Sequence, residues 1–334
     1  MTYPFEVVIV HRVLHYIDPL NNQPDNSLQT VVGMPKALKK AGIKASLLLV
    51  ESDIEERLKA YDPATTIFFN TCEGEDDNPN WYDPITSLLE RLGLTCTGAR
   101  DEILQGSQDK RIMKEQLIRG GVSTPDYEIC ADGKLNGWGR FPALVKPANQ
   151  HGSFGITRTS VVDSYADLKR QVEEVLDTWK GPALIEDFID GAEYRAYMVG
   201  NGDQIEIMPL YATIYDSVPD HHDRLFGFDN KWKAEACEVN ELLHYELPAK
   251  LSPEMQTRIE REAKAAYRAV EARDWGACDI RVRDGVPYVL DANQNADISE
   301  GYSFATAAAA GGITYPELLK KVVLHAAERL PVTV

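Results

Sequence analysis

The apolar positions of the first hundred residues switch repeatedly between two periods. Phe5–Val10 is an almost continuous apolar run, short enough for one buried strand. Val31, Met34 and Leu38 then fall on one helical face of 31–41, with Pro35 interrupting the stretch and Gly42 closing it. Ala45–Val50 reads as a second strand and Ile54–Leu58 as a helical turn. Thr66–Asn70 reads as a third strand, and Ile85, Leu88, Leu89 and Leu92 form a further helical stripe. Alternation of this kind predicts a parallel sheet covered by helices.

Near residue 110 the pattern changes. Ile112–Ile118 reads as a short helix ended by Gly120-Gly121, and Thr124-Pro125 starts an extended segment. Ala143–Val145 and Ala183–Ile185 read as strands on either side of an amphipathic helix, Asp163–Trp179. In that helix Leu168, Val172, Val175, Leu176 and Trp179 make the apolar stripe, with Ser164 as its N-cap. Tyr194–Met208 suggests antiparallel strands around the turn 200–203, and Ser252-Pro253 opens a helix running to about Arg273. Tyr302–Ala310 and Pro316–Arg329 read as closing helices. Tyr211–His244 is polar and aromatic without a period, which marks a long functional loop. Within it, His221 and His222 would point apart on an extended chain, which argues against a joint metal site. The expected units are 1–110, 111–185 and 186–334.

Composition narrows the function classes. The 334 residues carry a net charge of −17, which repels nucleic acid, so no nucleic-acid partner is expected. Any phosphate site must be built locally from a few lysines and backbone amides. The five cysteines (Cys72, Cys96, Cys130, Cys237 and Cys278) form no C-x-x-C pair, so zinc-finger and disulfide scaffolds lack support and a reducing cytoplasm is expected. The N-terminus has no basic leader and no stretch of about 18 apolar residues occurs, so neither a signal peptide nor a membrane span is expected.

The candidate chemistry centres on Cys278–Ile298, two strand-like runs joined at Asp284-Gly285. Asp279 and Asp291 would return to one end of that hairpin, with Asn293 beside them. Two carboxylates and an amide carbonyl form the hard-oxygen set that Mg²⁺ takes; ordinary polar surface positions would read the same. Upstream, a strand delivers Lys146 just before a turn with Gly152, Ser153 and Gly155, whose unpaired amides suit phosphate. The turn 70–80 carries Glu73, Glu75, Asp76 and Asp77 and reads as solvated surface.

Taken in order, these motifs resemble the ATP-grasp superfamily and, within it, the D-alanine–D-alanine ligase-like group, over roughly Ile67 to the C-terminus. The carriers are FFNTCEGEDDNP, LTCTGARDEILQGSQDK, FPALVKPANQHGSFGI, ALIEDFIDGAEYR, FDNKWKAEA and VLDAN. The resemblance implies an α/β and α+β architecture: an N-terminal parallel α/β domain and two α+β subdomains sandwiching ATP. It makes Lys110, Lys146, Ser153 and Lys231 nucleotide contacts, with Lys231 reaching from a lid segment to the terminal phosphate. It places Glu186 on the adenine side, backbone groups of Asp187, Phe188 and Ile189 at the adenine edge, and Glu193 on the ribose. Asp279, Asp291 and Asn293 become ligands of Mg²⁺, with Asp291 where a glutamate is usual.

The chain also departs from that group. An arginine usual two residues before the first metal aspartate is Ala277, and a serine of the glycine loop is Gly152. The usual receptor for the second substrate's carboxylate has become Gly301-Tyr302-Ser303, and the N-terminal segment 11–27 lacks the expected glycine-rich stretch. The expectation is therefore an ATP-dependent carboxylate–amine ligase, working through an acyl phosphate on small, amino-acid-like substrates other than the D-alanine dipeptide pair. The alternative is a regulatory nucleotide-binding protein without ligation. Lys146 and Lys231 would neutralise transferring charge, and Arg281 is the expected donor to the oxyanion. The group's frequent dimerisation through the N-terminal domain makes a homodimer the matching expectation.

Overall fold

The computed structural model describes residues 3–13, 27–72, 84–233 and 237–331. The chain begins with β1 (Glu6–His11), α1 (Ser27–Val31), α2 (Met34–Lys40), β2 (Lys44–Leu49), α3 (Ile54–Leu58), β3 (Thr66–Asn70), α4 (Ile85–Arg91) and β4 (Thr95–Cys96). These strands form a parallel sheet in the order β2-β1-β3-β4. Val7, Val8, Ile9 and Val10 are all fully buried, because β1 is central and covered on both faces. That is why its sequence is a continuous apolar run and not an alternating one. Pro35 sits in the first turn of α2, where a missing N–H costs nothing, so it starts the helix instead of breaking it.

After α5 (Asp101–Ser107) and α6 (Lys110–Arg119), a second sheet is built from β5 (Tyr127–Cys130), β6 (Ala143–Pro147), β7 (Val161–Val162) and, beyond α7 (Tyr165–Trp179), β8 (Ala183–Asp187). Its order is β5-β8-β6-β7 and every pair is antiparallel. Leu168, Val172 and Val175 of α7 pack on Val145, Val162 and Ile185. Ser164 caps α7 as its sequence position suggests, Oγ accepting from the Asp167 N–H at 3.2 Å.

The third sheet comprises β9 (Glu193–Val199), β10 (Glu206–Ile207), β11 (Tyr211–Ile214) and, past α8 (Phe228–Trp232), β12 (His244–Glu246). It is completed, after α9 (Pro253–Ala269), by β13 (Trp275–Arg283) and β14 (Val286–Asn293). The order is β12-β11-β9-β13-β14, antiparallel throughout, with β10 on β9. Ile259, Ala263 and Ala266 of α9 join Met113 and Leu117 of α6 over one face. The 211–244 stretch is thus less irregular than its sequence suggests. Its strands are four and three residues long, too short to show a period.

Two closing helices, α10 (Ser303–Ala310) and α11 (Tyr315–Ala327), return the chain to its beginning. Phe304, Leu318, Val322 and Val323 share one core with Val7, Ile9, Leu38 and Phe69. Asp274 ties these parts together from a fully buried position. Its carboxylate accepts from the Gly98 N–H at 2.9 Å, Asn201 Nδ2 at 3.0 Å and Arg329 Nη2 at 2.6 Å. Among the described residues no helix is long and apolar enough to cross a membrane.

Candidate nucleotide and metal site

The β13–β14 hairpin turns through Asp284 and Gly285, both left-handed at φ 53° and 74°. A two-residue turn of this hand matches strand twist, and glycine takes the second position at no steric cost. Across such a turn, paired residues lie an odd number apart, as Arg283 and Val286 do. Asp279 and Asp291 lie an even number apart and could not face each other in that register. A bulge resolves this: Ile280 pairs with Val289, whereas Asp279 pairs with Asp291. The extra residue, Leu290, moves Asp291 onto the face of Asp279. Asn293 pairs with Ala277, two residues further along the same face.

Buried cations surround this pair. Lys110, 4% exposed, donates through Nζ to the Gln150 carbonyl, and burial pushes its amine down to about 8. Burial alone would raise Asp291, but Lys110, Lys146 and His151 outweigh it and hold the carboxyl below its ordinary range. His151 is itself pushed down to about 4, by burial first and Lys110 second, and its Nε2 has no hydrogen-bond partner among the described residues. Burial pushes Asp279 up, opposed chiefly by Arg195.

Lys146 leaves β6 with Nζ 2.6 Å from Glu186 Oε1, and Lys114 places its Nζ 2.6 Å from Glu186 Oε2. Burial would raise the Glu186 carboxyl, but the two lysines win and hold it down. Both oxygens of Glu186 are thereby engaged, so its first task is to hold Lys114 and Lys146 in place. Lys114 was not singled out in the sequence. The available signal was its position one helical turn after Lys110 on α6.

In the glycine loop, Gly152, Ser153 and Gly155 all have positive φ, at 62°, 66° and 74°. A Cβ on Gly155 would come within 2.5 Å of Pro147, so the close approach to β6 requires glycine. The loop is fastened to the segment carrying α8. Ser153 Oγ donates to the Phe226 carbonyl at 3.1 Å, Trp232 Nε1 donates to the Gly152 carbonyl at 2.8 Å, and Phe154 packs on the Phe228 and Trp232 rings. The Ser153 hydroxyl is therefore bonded to protein. Lys231, on α8, has Nζ 5.2 Å from the Trp232 ring centre.

Along β8 and its continuation, Asp187 pairs with Arg140 at 2.8 Å, and the Phe188 N–H donates to the Pro142 carbonyl at 3.2 Å. The Ile189 carbonyl accepts from Arg281 Nη1 at 3.0 Å. Arg281, expected at the oxyanion, sits in a buried ion pair. It is 3% exposed, bonds Glu193 Oε2 through Nε at 3.1 Å and Nη2 at 3.0 Å, and lies 4.8 Å from the Tyr215 ring. Offering it to an oxyanion would break a buried ion pair, which engages one oxygen, Oε2, of the Glu193 carboxylate expected on the ribose.

The guanidinium beside the paired carboxylates is that of Arg195. The β9–β13 register sets it directly opposite Asp279, with Nε 2.5 Å from Asp279 Oδ1, and opposite Ala277 stands Tyr197. Sequence reasoning missed Arg195, because its partner is 84 positions away on a strand whose neighbours the sequence does not reveal. The acids Glu73, Glu75, Asp76 and Asp77, and residues 14–26, lie outside the described residues.

Residues 115–324 match the family model described as D-ala D-ala ligase C-terminus. The uncharacterized protein y4sG of Sinorhizobium fredii is 27% identical over 274 residues, covering 80% of this chain and 77% of that protein. A D-alanine–D-alanine ligase of Cupriavidus necator is 28% identical over 247 residues, covering 72% of this chain and 71% of that protein. Among solved structures, the D-alanine–D-alanine ligase of Bacillus anthracis complexed with ATP superposes with a TM-score of 0.72 at 19% identity, covering 97% of this chain and 98% of that one. The fold is ATP-grasp.

Proposed function

Since the chain belongs to the D-alanine–D-alanine ligase family, we propose that it joins a small carboxylic acid to an amine through an acyl phosphate, with a substrate pair other than the one that makes the D-alanine dipeptide. A carboxylate resists amines because it has no leaving group, and transfer of the ATP terminal phosphate supplies one. That transfer needs positioning and charge neutralisation more than covalent help.

The observation that carries the reading is the pairing of Asp279 with Asp291 beside buried Lys110 and Lys146. Two carboxylates and the Asn293 carbonyl on one face are all hard oxygens and fit Mg²⁺, which would supply charge neutralisation for the phosphates of ATP. Lys110 and Lys146 hold phosphate oxygens from one side, the loop amides around Ser153 cover them, and Lys231 approaches from α8. Glu186 keeps Lys146 aimed, and the backbone of Asp187 to Ile189 borders the adenine. Residues 111–185 and 186–334 act as the two halves closing on the nucleotide.

When the amine attacks the acyl phosphate, the carbonyl oxygen becomes an oxyanion. Arg195 is the donor for it, as it lies on the metal face and is about one-third exposed. The guanidinium thus arrives from β9, where the related ligases send one from the position of Ala277. Tyr197 stands opposite Ala277 and packs on Phe304 at 4.7 Å between ring centres. These substitutions at the acyl end support a different acid and amine.

The test is a matrix of acids and amines scored for ADP release, with products identified by mass spectrometry and D-alanine alone as one arm. ADP release that needs both an acid and an amine is the expected result. Release with D-alanine alone, giving its dipeptide at the rate of the best pair, sinks the substrate claim. No pair above the intrinsic rate sinks ligation.

A further inference from the structure

Away from the nucleotide site, Asp163, which follows β7, meets the His221–Asp223 turn between β11 and α8. His221 Nε2 lies 2.8 Å from Asp163 Oδ1, and His222 Nε2 lies 3.2 Å from Asp163 Oδ2. The expectation that the two histidines diverge fails for a local reason. Asp220 accepts from the His222 N–H at 3.0 Å and caps a 3₁₀ turn, and the turn brings the rings together with centres 4.1 Å apart. Asp220 also accepts from His222 Nδ1 at 2.7 Å, and Arg158 holds both Asp220 and Asp223.

His222 therefore has a carboxylate oxygen at each ring nitrogen. A neutral imidazole carries one proton. If Nδ1 donates to Asp220, Nε2 turns a lone pair toward an anion. Three carboxylates face one guanidinium, which leaves two negative charges when both rings are neutral. Charging one ring still leaves one negative charge, and charging both sets two cations 4.1 Å apart. A dication between the two Nε2 atoms and Asp163 removes both conflicts.

We propose that Asp163, His221 and His222 bind a divalent transition-metal ion, zinc foremost, with Asp220 as the outer partner that fixes the His222 tautomer. Two imidazole nitrogens and a carboxylate, with a fourth position open to water, form a set zinc accepts and Mg²⁺ or Ca²⁺ does not favour. Side-chain exposures of 47%, 35% and 27% for Asp163, His221 and His222 leave the ion a path in. Its effect is mechanical. The turn lies just before Phe226 and Phe228, which hold the glycine loop, so the ion would fasten the root of the α8 segment to the end of β7.

The site is independent of ligation and is measured without nucleotide or substrates. The 334-residue chain is stripped with chelator, kept in excess Mg²⁺ to occupy the oxygen site, and titrated with zinc in a calorimeter. One zinc per chain and a raised thermal midpoint are expected, and cobalt should give a visible spectrum of nitrogen and oxygen coordination. His221→Ala, His222→Ala and Asp163→Asn should abolish the site. Asp220→Asn should weaken it about 10- to 100-fold, and Asp291→Asn should leave it intact. No zinc heat in the wild type overturns the proposal. So does an unchanged cobalt spectrum in the two histidine variants, or loss of zinc only in Asp291→Asn.

Discussion

Lys110 gives the proposed nucleotide site a thermodynamic signature. Burial takes its amine from the ordinary 10.5 down to about 8. Because the folded value is the lower one, folding favours neutral Lys110, and this group's contribution to stability improves as pH rises from about 8 toward 10.5. At neutral pH the free protein carries a penalty of about 3 kcal/mol for keeping this lysine charged. A phosphate placed against it reverses the balance and restores the proton. At pH 8 about half the free molecules lack that proton, so ATP with magnesium should take up about half a proton per site. The uptake should fall toward zero by about pH 6.5 and approach one by about pH 9. Calorimetry in two buffers of different ionisation enthalpy reads it directly. Lys110→Arg keeps a charge that cannot titrate and serves as the background. Uptake that is flat with pH, or equal in Lys110→Arg, would refute both the depressed amine and its place beside the phosphates.

The remaining predictions concern charge placement. Arg195→Ala should cut turnover about 100-fold or more while leaving ATP affinity within a few-fold. Arg281→Ala should instead act on stability and on the apparent KM for ATP, through the abandoned Glu193; a larger turnover loss in Arg281→Ala would reverse the assignment. Glu186→Gln leaves Lys114 and Lys146 buried without their anion and should cost roughly 3–5 kcal/mol at pH 7, measured by denaturant unfolding. The folded carboxyl lies below its ordinary 4.5, so this stabilisation is complete above that value. It is lost as pH falls through the folded value, and the gap between wild type and variant should close in acid. Asp274→Ala removes the acceptor for Gly98, Asn201 and Arg329 and should cost about 3–5 kcal/mol without changing the ATP constant of the folded fraction.

What the sequence made legible were groups delivered by one element, and what it hid were groups completed by two. Lys146 stands near the end of a strand and precedes a glycine turn within a dozen residues, so position alone nominates it. The first hundred residues declare a parallel sheet because each element is legible alone, strands as short apolar runs and helices as spaced apolar stripes. Arg195 looks ordinary on β9, and its meaning comes from β9 lying next to β13, an order that no local pattern encodes. Lys114 likewise becomes informative only when β8 brings Glu186 to α6.

The hairpin shows the limit most sharply. Residue types correctly nominated Asp279 and Asp291 as neighbours, yet an ideal two-residue turn would set Asp279 against Leu290. One bulged residue decides whether two carboxylates converge or point to opposite faces of the sheet. The same logic explains why a guanidinium absent at Ala277 need not be absent from the site. On an antiparallel sheet, the face above Asp279 is reached equally from β13 and from β9, so chemistry can be kept while the strand that supplies it changes.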